Sequence, residues 1–377
     1  MTEPAQRDPE PIESTRPIPR ENGRPGPAPD GEIPALDLEQ LLEKAIVVDL
    51  PLTVRFRGVT RREAVLLPGP RGWGEFAPFL EYDDAEAAAW WRACLEAAYL
   101  GFPAPLRSEI PVNATVPAVA PERVPAVLGG YGEDIVAVKV KVAERGQGVE
   151  EDEARVAAVR AALPEARIRV DANQGWTVDQ AVSALRRLSR YDLEYAEQPA
   201  PGVDGLYAVR EALHRDGVTV PIAADESVRK AEDPLAVARA GAADLIVVKV
   251  APLGGVRRAL SVVEQAGLPA VVSSALDTSV GLSAGVALAA SLPELPYACG
   301  LGTGALLARD VTEAPLKPEH GKLPVRDYGP GSLEVRGLVV DDARRTWWLD
   351  RVRRVHALLE PGPGSGPEPG QQPLEWR

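Results

Sequence analysis

The sequence predicts a (β/α)8 barrel joined to an α+β domain built from both ends of the chain. Three observations predict it. From about residue 110, short apolar runs alternate with amphipathic helical stretches; eight such runs fit into about 195 residues; and alternating strands precede that region, while one more strand and helix follow it.

The elements follow in order. Residues 1–34 are polar and Pro-rich and read as a disordered leader; residues 360–377 read the same way as a tail. Residues 35–109 form the first part of the α+β domain. Within it, 45–57 and 62–68 alternate like antiparallel strands, leading to GWGEFAPF at 72–79 and an Ala-rich helix, DDAEAAAWWRACLEAAYLG. Residues 110–305 carry the eight runs: IPVNATV (110–116), DIVAVKVKV (134–142), ARIRVDAN (166–173), LEYAEQP (193–199), VPIAADES (220–227), ADLIVVKV (243–250), LPAVVSSALD (268–277) and YACGLGTG (297–304). Helical stretches such as 150–163, 177–190 and 255–267 lie between them. Strand–helix repetition at this spacing means parallel strands with crossover helices. No GxGxxG follows the first run, which argues against a dinucleotide fold. Residues 306–359 return, with a last strand and helix packing back on the N-terminal sheet.

Composition narrows the function. The charge is 42 − 55 = −13, the wrong sign for a protein that grips phosphate backbones, so no nucleic-acid partner is expected. No apolar run reaches about 18 residues, so no membrane span is expected. No signal peptide is visible, and two cysteines, Cys94 and Cys299, fit a reducing, cytoplasmic setting. With only His214, His320 and His356 available, a histidine-rich zinc centre or a histidine-based triad is disfavoured, and any metal must be held by carboxylates. No protein partner is evident.

In an α/β barrel the active site lies at the C-terminal ends of the strands. The second run ends in Lys139-Val140-Lys141, the third in Arg169-Val170-Asp171-Ala172-Asn173, the fourth in Glu197-Gln198-Pro199, the fifth in Asp225-Glu226-Ser227, and the sixth in Lys249. Alternation puts Lys139 and Lys141 on one face, and likewise Arg169, Asp171 and Asn173. Burying such charges is costly unless they pair or hold a metal. Three carboxylates on consecutive strands, Asp171, Glu197 and Asp225, suit an octahedral Mg2+, with Mn2+ as a substitute. A divalent ion can stabilise the dianion left when a proton leaves carbon next to a carboxylate. Lys141, nearer the strand end than Lys139, is the expected base, its pKa lowered by burial and neighbouring positive charge. Lys139 is a supporting charge. Lys249 faces in from the opposite side as an acid/base or as an electrostatic stabiliser.

Blander readings exist for single residues. VKVKV alone suits an edge strand. Asp171, Asp225, Glu226 and Asn173 could each be a cap or turn residue. Five charges in register on five successive strands are the more specific signal. Ser273 and Ser274 follow the seventh run, as do Ser279 and Gly281; Gly300, Gly302 and Gly304 follow the eighth. Such loops offer N–H groups to anions, or simply turn tightly. Arg169, Asn173, Ser273, Ser274 and Gly302 are the candidate substrate-binding residues. Trp176 lines the pocket or fills the core; His214 is a late helical residue; Cys94 is core.

The strand-end pattern resembles the enolase superfamily, in its muconate-lactonizing branch: the KxK, then Asp, Glu, Asp, then Lys, here Lys139/Lys141, Asp171, Glu197, Asp225 and Lys249. The resemblance covers roughly residues 35–358. Within that branch, stretches such as GWGEFAPFLEYDD, IRVDANQGW, EYAEQP, PIAADESVRKAEDP and VVSSALDTSVG are similar to the o-succinylbenzoate synthase family. The resemblance implies an enolase-type, modified TIM barrel with a capping domain over its mouth. It also implies a Mg2+-dependent syn dehydration of 2-succinyl-6-hydroxy-2,4-cyclohexadiene-1-carboxylate to o-succinylbenzoate, in menaquinone biosynthesis. Lys141 would remove the proton and later protonate the leaving hydroxyl, and Lys249 would stabilise the enediolate, by cation–π contact with the substrate ring among other means. The short Arg57-Gly58-Val59 connection leaves little room for the long capping loop of some relatives. Two alternatives stand beside this: an N-succinylamino acid racemase or dipeptide epimerase of the same branch, for which both lysines are acid/bases, and a non-catalytic barrel that binds a carboxylate.

Overall fold

The computed structural model describes residues 33, 36–56, 58–229 and 233–359. The expected leader and tail therefore lie outside the described residues, Ile33 apart, and so does Arg57. Among the described residues no helix is long and apolar enough to cross a membrane.

The described chain opens on a short helix, α1 (Leu38–Lys44), whose N-cap Asp37 accepts the Gln40 N–H at 3.2 Å. Three strands follow, β1 (Ile46–Phe56), β2 (Val59–Gly69) and β3 (Gly72–Phe76), in an antiparallel sheet of order β1-β2-β3. Helix α2 (Asp84–Leu95) lies across β3. The approach is so close that a Cβ on Gly74 would stand 2.1 Å from the Cys94 carbonyl oxygen; only glycine fits. Cys94 itself is core, as expected.

A short strand outside the barrel comes next, and then barrel strands alternating with helices. They run β4 (Glu109–Pro111), β5 (Ala114–Val116), α3 (Val124–Gly129), β6 (Ala137–Lys141), α4 (Val149–Ala162), β7 (Arg167–Asp171), α5 (Val178–Leu188), β8 (Leu193–Glu197), α6 (Gly202–Arg215), β9 (Ile222–Ala224), α7 (Glu226–Arg229), α8 (Ala236–Arg239), β10 (Leu245–Val248), α9 (Val250–Leu253), α10 (Val256–Ala266), β11 (Ala270–Val272) and α11 (Ser279–Ser291). Seven strands, β5 to β11, pair in parallel in chain order. The eighth run of the sequence completes the ring through single bridges: Cys299 pairs with Val112 and Gly300 with Ser273. Sequence and burial agree here. Every residue of β10 (LIVV) is buried, as a parallel strand covered on both faces requires. Helix α5 buries one stripe and is closed at its start by a Thr177–Gln180 capping box. Helix α11 is apolar almost all round because it is covered on several sides, packing against β3, α9, α10 and β11.

The chain then returns. β12 (Lys322–Pro324) pairs antiparallel with β4, and α12 (Asp342–Ala357) packs on α2. Phe76 meets Trp91 and Trp348 edge-on, with ring centroids 5.6 and 6.0 Å away. Each such contact adds about 0.5–1.5 kcal/mol beyond area burial. The end of the chain thus packs against its opening, and the N-terminal sheet sits at the C-terminal ends of the barrel strands.

Candidate active site

Strand register does most of the positioning. Lys141 lies opposite Asp171, and Asp171 opposite Glu197, across β6, β7 and β8. One layer lower, Lys139, Arg169 and Tyr195 are partners. Asp225 directly follows β9, and Lys249 directly follows β10, as the N-cap of α9. β6 and β10 stand four apart in the sheet order. In a ring closed by an eighth segment that separation places Lys141 and Lys249 on opposite sides.

The charges are buried and paired. Asp171, Glu197 and Asp225 are each 1 % exposed or less. Lys139 Nζ lies 3.1 Å from Glu197 Oε2 and 3.5 Å from Asp171 Oδ2. Lys141 pairs with Asp171 and donates to Asn173 Oδ1 at 2.8 Å. Lys249 pairs with one oxygen of Asp225, and Arg229 Nε donates to the other at 2.9 Å. Arg229 also donates to Glu226 Oε1 at 2.6 Å, the oxygen that accepts from Asn173 Nδ2 at 3.3 Å. Behind the ring, Gln198 Oε1 accepts the N–H groups of Asp225 and Ser227 at 3.0 and 3.1 Å, which fixes the turn after β9.

Burial and neighbours set the protonation states in different directions. Burial lowers the Lys141 pKa, and the adjacent Lys139 charge pushes the same way against the pull of Asp171. Lys249 is likewise lowered, by burial first. Burial also opposes the charge of Lys139, but Glu197 and Asp171 outweigh it and raise that pKa. Asp171 and Asp225 resist burial because cations flank them: Lys141 and Lys139 for the first, Arg229 and Lys249 for the second, holding both below the usual carboxylate range. Glu197 is pushed up to about 7 by burial and by the charge of Asp171. One lysine is thus held firmly charged while two are eased toward neutrality.

A cleft opens onto this cluster. Its walls are Lys139, Lys141, Asn173 and Lys249; Ser273, Ser274, Ala275 and Leu276 after β11; Thr115, Gly300 and Thr303; and Phe56 and Phe79 from the N-terminal domain. Lys141 Nζ lies 5.5 Å from the centre of the Phe56 ring. Ser274 Oγ and Thr303 Oγ1 are 2.7 Å apart. Of the sequence candidates, Asn173, Ser273 and Ser274 therefore border the cleft with the lysines. Gly302 does not: it sits in the turn behind, where a Cβ would meet Asn113 O at 2.7 Å and Tyr131 at 3.2 Å. Arg169 does not either. It shares the interior face with Asp171 but turns away from the cleft, pairing with Glu194 at 2.6 Å and donating to Tyr195 Oη at 3.1 Å and Ala298 O at 2.6 Å. Trp176 belongs to the hydrophobic core, Ser279 is tied to Asp310 at 2.7 Å, and His214 is exposed in the last turn of α6. Arg229, Phe56 and Phe79 went unselected by sequence reasoning. For Arg229 the four-residue spacing from Asp225, that of a helix ion pair, carries the signal.

The donor set fits a hard divalent ion. It is all oxygen, from three carboxylates on neighbouring strand ends, and burial together with the charge of Asp171 works against the Glu197 carboxylate, a penalty that a cation would relieve. Burial works against the charge of both Lys141 and Lys249, which leaves the four carboxyl groups Asp171, Glu197, Asp225 and Glu226 with a place for added positive charge. The carboxylates are not drawn into a cage: among the described residues no three His, Cys, Asp or Glu side chains stand together at coordinating distance, and ammonium groups occupy their oxygens instead.

The chain is similar to known proteins. Residues 126–336 match the family model "Enolase C-terminal domain-like" and residues 47–98 match "Enolase N-terminal domain-like". The chain is 54% identical over 320 residues to an o-succinylbenzoate synthase of Thermobifida fusca (strain YX), covering 83% of this chain and 98% of the relative. It is 54% identical over 328 residues to an o-succinylbenzoate synthase of Mycolicibacterium smegmatis, covering 87% and 99%. Among solved structures, 2-chloromuconate cycloisomerase from Rhodococcus opacus 1CP superposes with a TM-score of 0.66 at 24% identity, over 79% of this chain and 98% of that one. The L-Ala-D/L-Glu epimerase from Bacillus subtilis gives 0.65 at 23%, over 76% and 96%. These structural likenesses show the fold.

Proposed function

Because the chain belongs to the o-succinylbenzoate synthase family of the enolase superfamily, we propose that it carries out the family's dehydration with Lys141 as its acid/base. The reaction is the syn elimination of water from 2-succinyl-6-hydroxy-2,4-cyclohexadiene-1-carboxylate to o-succinylbenzoate, a hydro-lyase step of menaquinone biosynthesis. The observation that carries the reading is the 54% identity over nearly the whole length of curated synthases.

Each chain residue has a definable part. Asp171, Glu197 and Asp225 would hold Mg2+, and a divalent ion bound there supplies positive charge to stabilise the enediolate formed when the α-proton leaves. Lys141, eased toward the neutral amine by burial and by Lys139, takes that proton. The same Nζ, now charged, gives a proton to the departing hydroxyl on the same face, so one group serves both halves of a syn elimination. Lys249, on the opposite side of the cleft, faces the developing negative charge and the substrate ring. Lys139 stays protonated and keeps Lys141's proton affinity low. Asn173 Oδ1 orients Lys141 Nζ at 2.8 Å. The cytoplasm is the proposed setting, since the two cysteines are free and buried.

The opposed lysines also favour a second reading, racemisation or epimerisation of N-acylated amino acids. Assaying the purified protein with Mg2+ on the cyclohexadiene acid and on N-succinyl amino acids separates the two. Formation of the aromatic product supports the synthase; turnover of the amino acids alone overturns it.

A further inference from the structure

The N-terminal domain grips one wall of the cleft with side chains that lie outside the lysine–carboxylate cluster. Arg62, on β2, is 4 % exposed. Its guanidinium donates to main-chain carbonyls: Nε to Leu276 O at 3.2 Å, and a terminal nitrogen to Ala77 O and, at 3.4 Å, to Ala275 O. It also lies 4.3 Å from the centre of the Phe79 ring. On the neighbouring strand, Glu75 of β3 accepts the N–H groups of Thr278 and Gly281 at 3.2 and 3.1 Å. Loop 273–278, which carries Ser273 and Ser274, is therefore held at two points from across the domain boundary.

Leu276 explains why such a hold is needed. Its φ is +64°, in the left-handed region. A leucine has no polar side-chain atom to compensate there, as Asn173 has at +43°. Such conformations persist only where the surroundings over-determine them, and they gather at functional sites. Arg62 bonds the carbonyl of that residue. As mere domain glue, a buried guanidinium is a costly choice over an apolar side chain.

We infer that Arg62 is a positioning residue for the reaction: by holding the Leu276 carbonyl it keeps Leu276 left-handed and loop 273–278 folded against the lysines. This rests on reading the cleft as the active site.

The test is a double-mutant cycle with Arg62→Gln and Leu276→Gly, because glycine adopts a positive φ without help. Arg62→Gln is expected to lower kcat/KM at least tenfold, chiefly through KM, with the pH profile of kcat unchanged. Amide exchange at residues 276–278 is expected to quicken. In the Leu276→Gly background the same substitution should cost less than threefold. A single-variant loss under twofold, unchanged exchange, or an undiminished loss in the glycine background overturns the inference. Should Arg62→Gln not fold, Arg62→Lys, which keeps the charge but not the fork, enters the same cycle with the same two outcomes. If the unaltered protein forms no o-succinylbenzoate, the functional reading fails instead, and the exchange measurement still decides whether Arg62 orders the loop.

Discussion

The barrel buries two charge networks a few ångströms apart, and only one faces a cleft. In the lower one Arg169 is met by Glu194, by the Tyr195 hydroxyl, by Asn113 Oδ1 at 3.2 Å and by the Ala298 carbonyl, and it stacks 4.8 Å from the Tyr195 ring. All of these contacts are internal to the barrel wall, and none borders the cleft. In the upper one Asp171 has two lysines competing for it, burial pushes the Glu197 pKa up, and the cations border open space. Both networks cost desolvation. What separates them is whether the charges face only one another inside the wall, as structure demands, or border open space where a proton can be exchanged, as chemistry demands.

Four experiments break or sharpen that contrast. The largest effect is expected of Lys141→Ala, which should lower kcat about 10³–10⁴-fold, the upper range for a lost general base, while circular dichroism and Tm stay near wild type. A variant that still turns over normally ends the contrast. Arg169→Met should do the reverse: about 1–3 kcal/mol of stability lost in urea melts, because Tyr195 Oη and Ala298 O lose their donor and Glu194 keeps only Arg167, at 3.2 Å, with turnover of the folded fraction kept within a few-fold. Loss of turnover at unchanged stability would put Arg169 in the chemistry. Third, Asp225→Asn is expected to weaken Mg2+ binding by at least about 100-fold, since removing a group that merely orients a ligand already costs about 10–100-fold; calorimetric titration reads this directly, and an unchanged isotherm removes Asp225 from the ligand set. The last effect is read as a slope and concerns Glu75, whose pKa burial and the charge of Asp277 push up to about 8. A carboxyl raised in the folded state contributes stability that is full below its unfolded pKa, near 4.5, and is lost as pH climbs toward 8. Glu75→Gln should therefore gain on wild type by about 1 kcal/mol per pH unit across that window, and parallel stability–pH curves would contradict the shift.

Much of this was written in local pattern. Alternation in KVKV and RVDAN fixes which residues face inward, and the eight apolar runs mark the ring, because both follow from the two-residue period of a strand. The lysines and carboxylates were legible for that reason. Arg169 was misjudged by the same rule: period alone gives the face but not the height along the barrel axis, and the side chain turned down to Glu194 rather than up to the cleft. Gly302 was one turn out, for glycines at 300, 302 and 304 look alike in sequence. Arg62 and Leu276 were beyond reach. They are separated by more than 200 residues, and nothing in a leucine announces a positive φ. Phe56 and Phe79 likewise reach the cleft only because the domains dock.

The eighth segment joins the ring by pairing Cys299 with Val112 and Gly300 with Ser273. A Cβ at Gly300 would fall 2.5 Å from Ser273 Oγ, and the Gly300 carbonyl takes the Ser274 N–H at 3.1 Å. The hoop is therefore fastened at the rim of its own catalytic bowl. The bridge that closes the hoop and the serine wall of the cleft are thus made of the same residues, Ser273, Ser274 and Gly300.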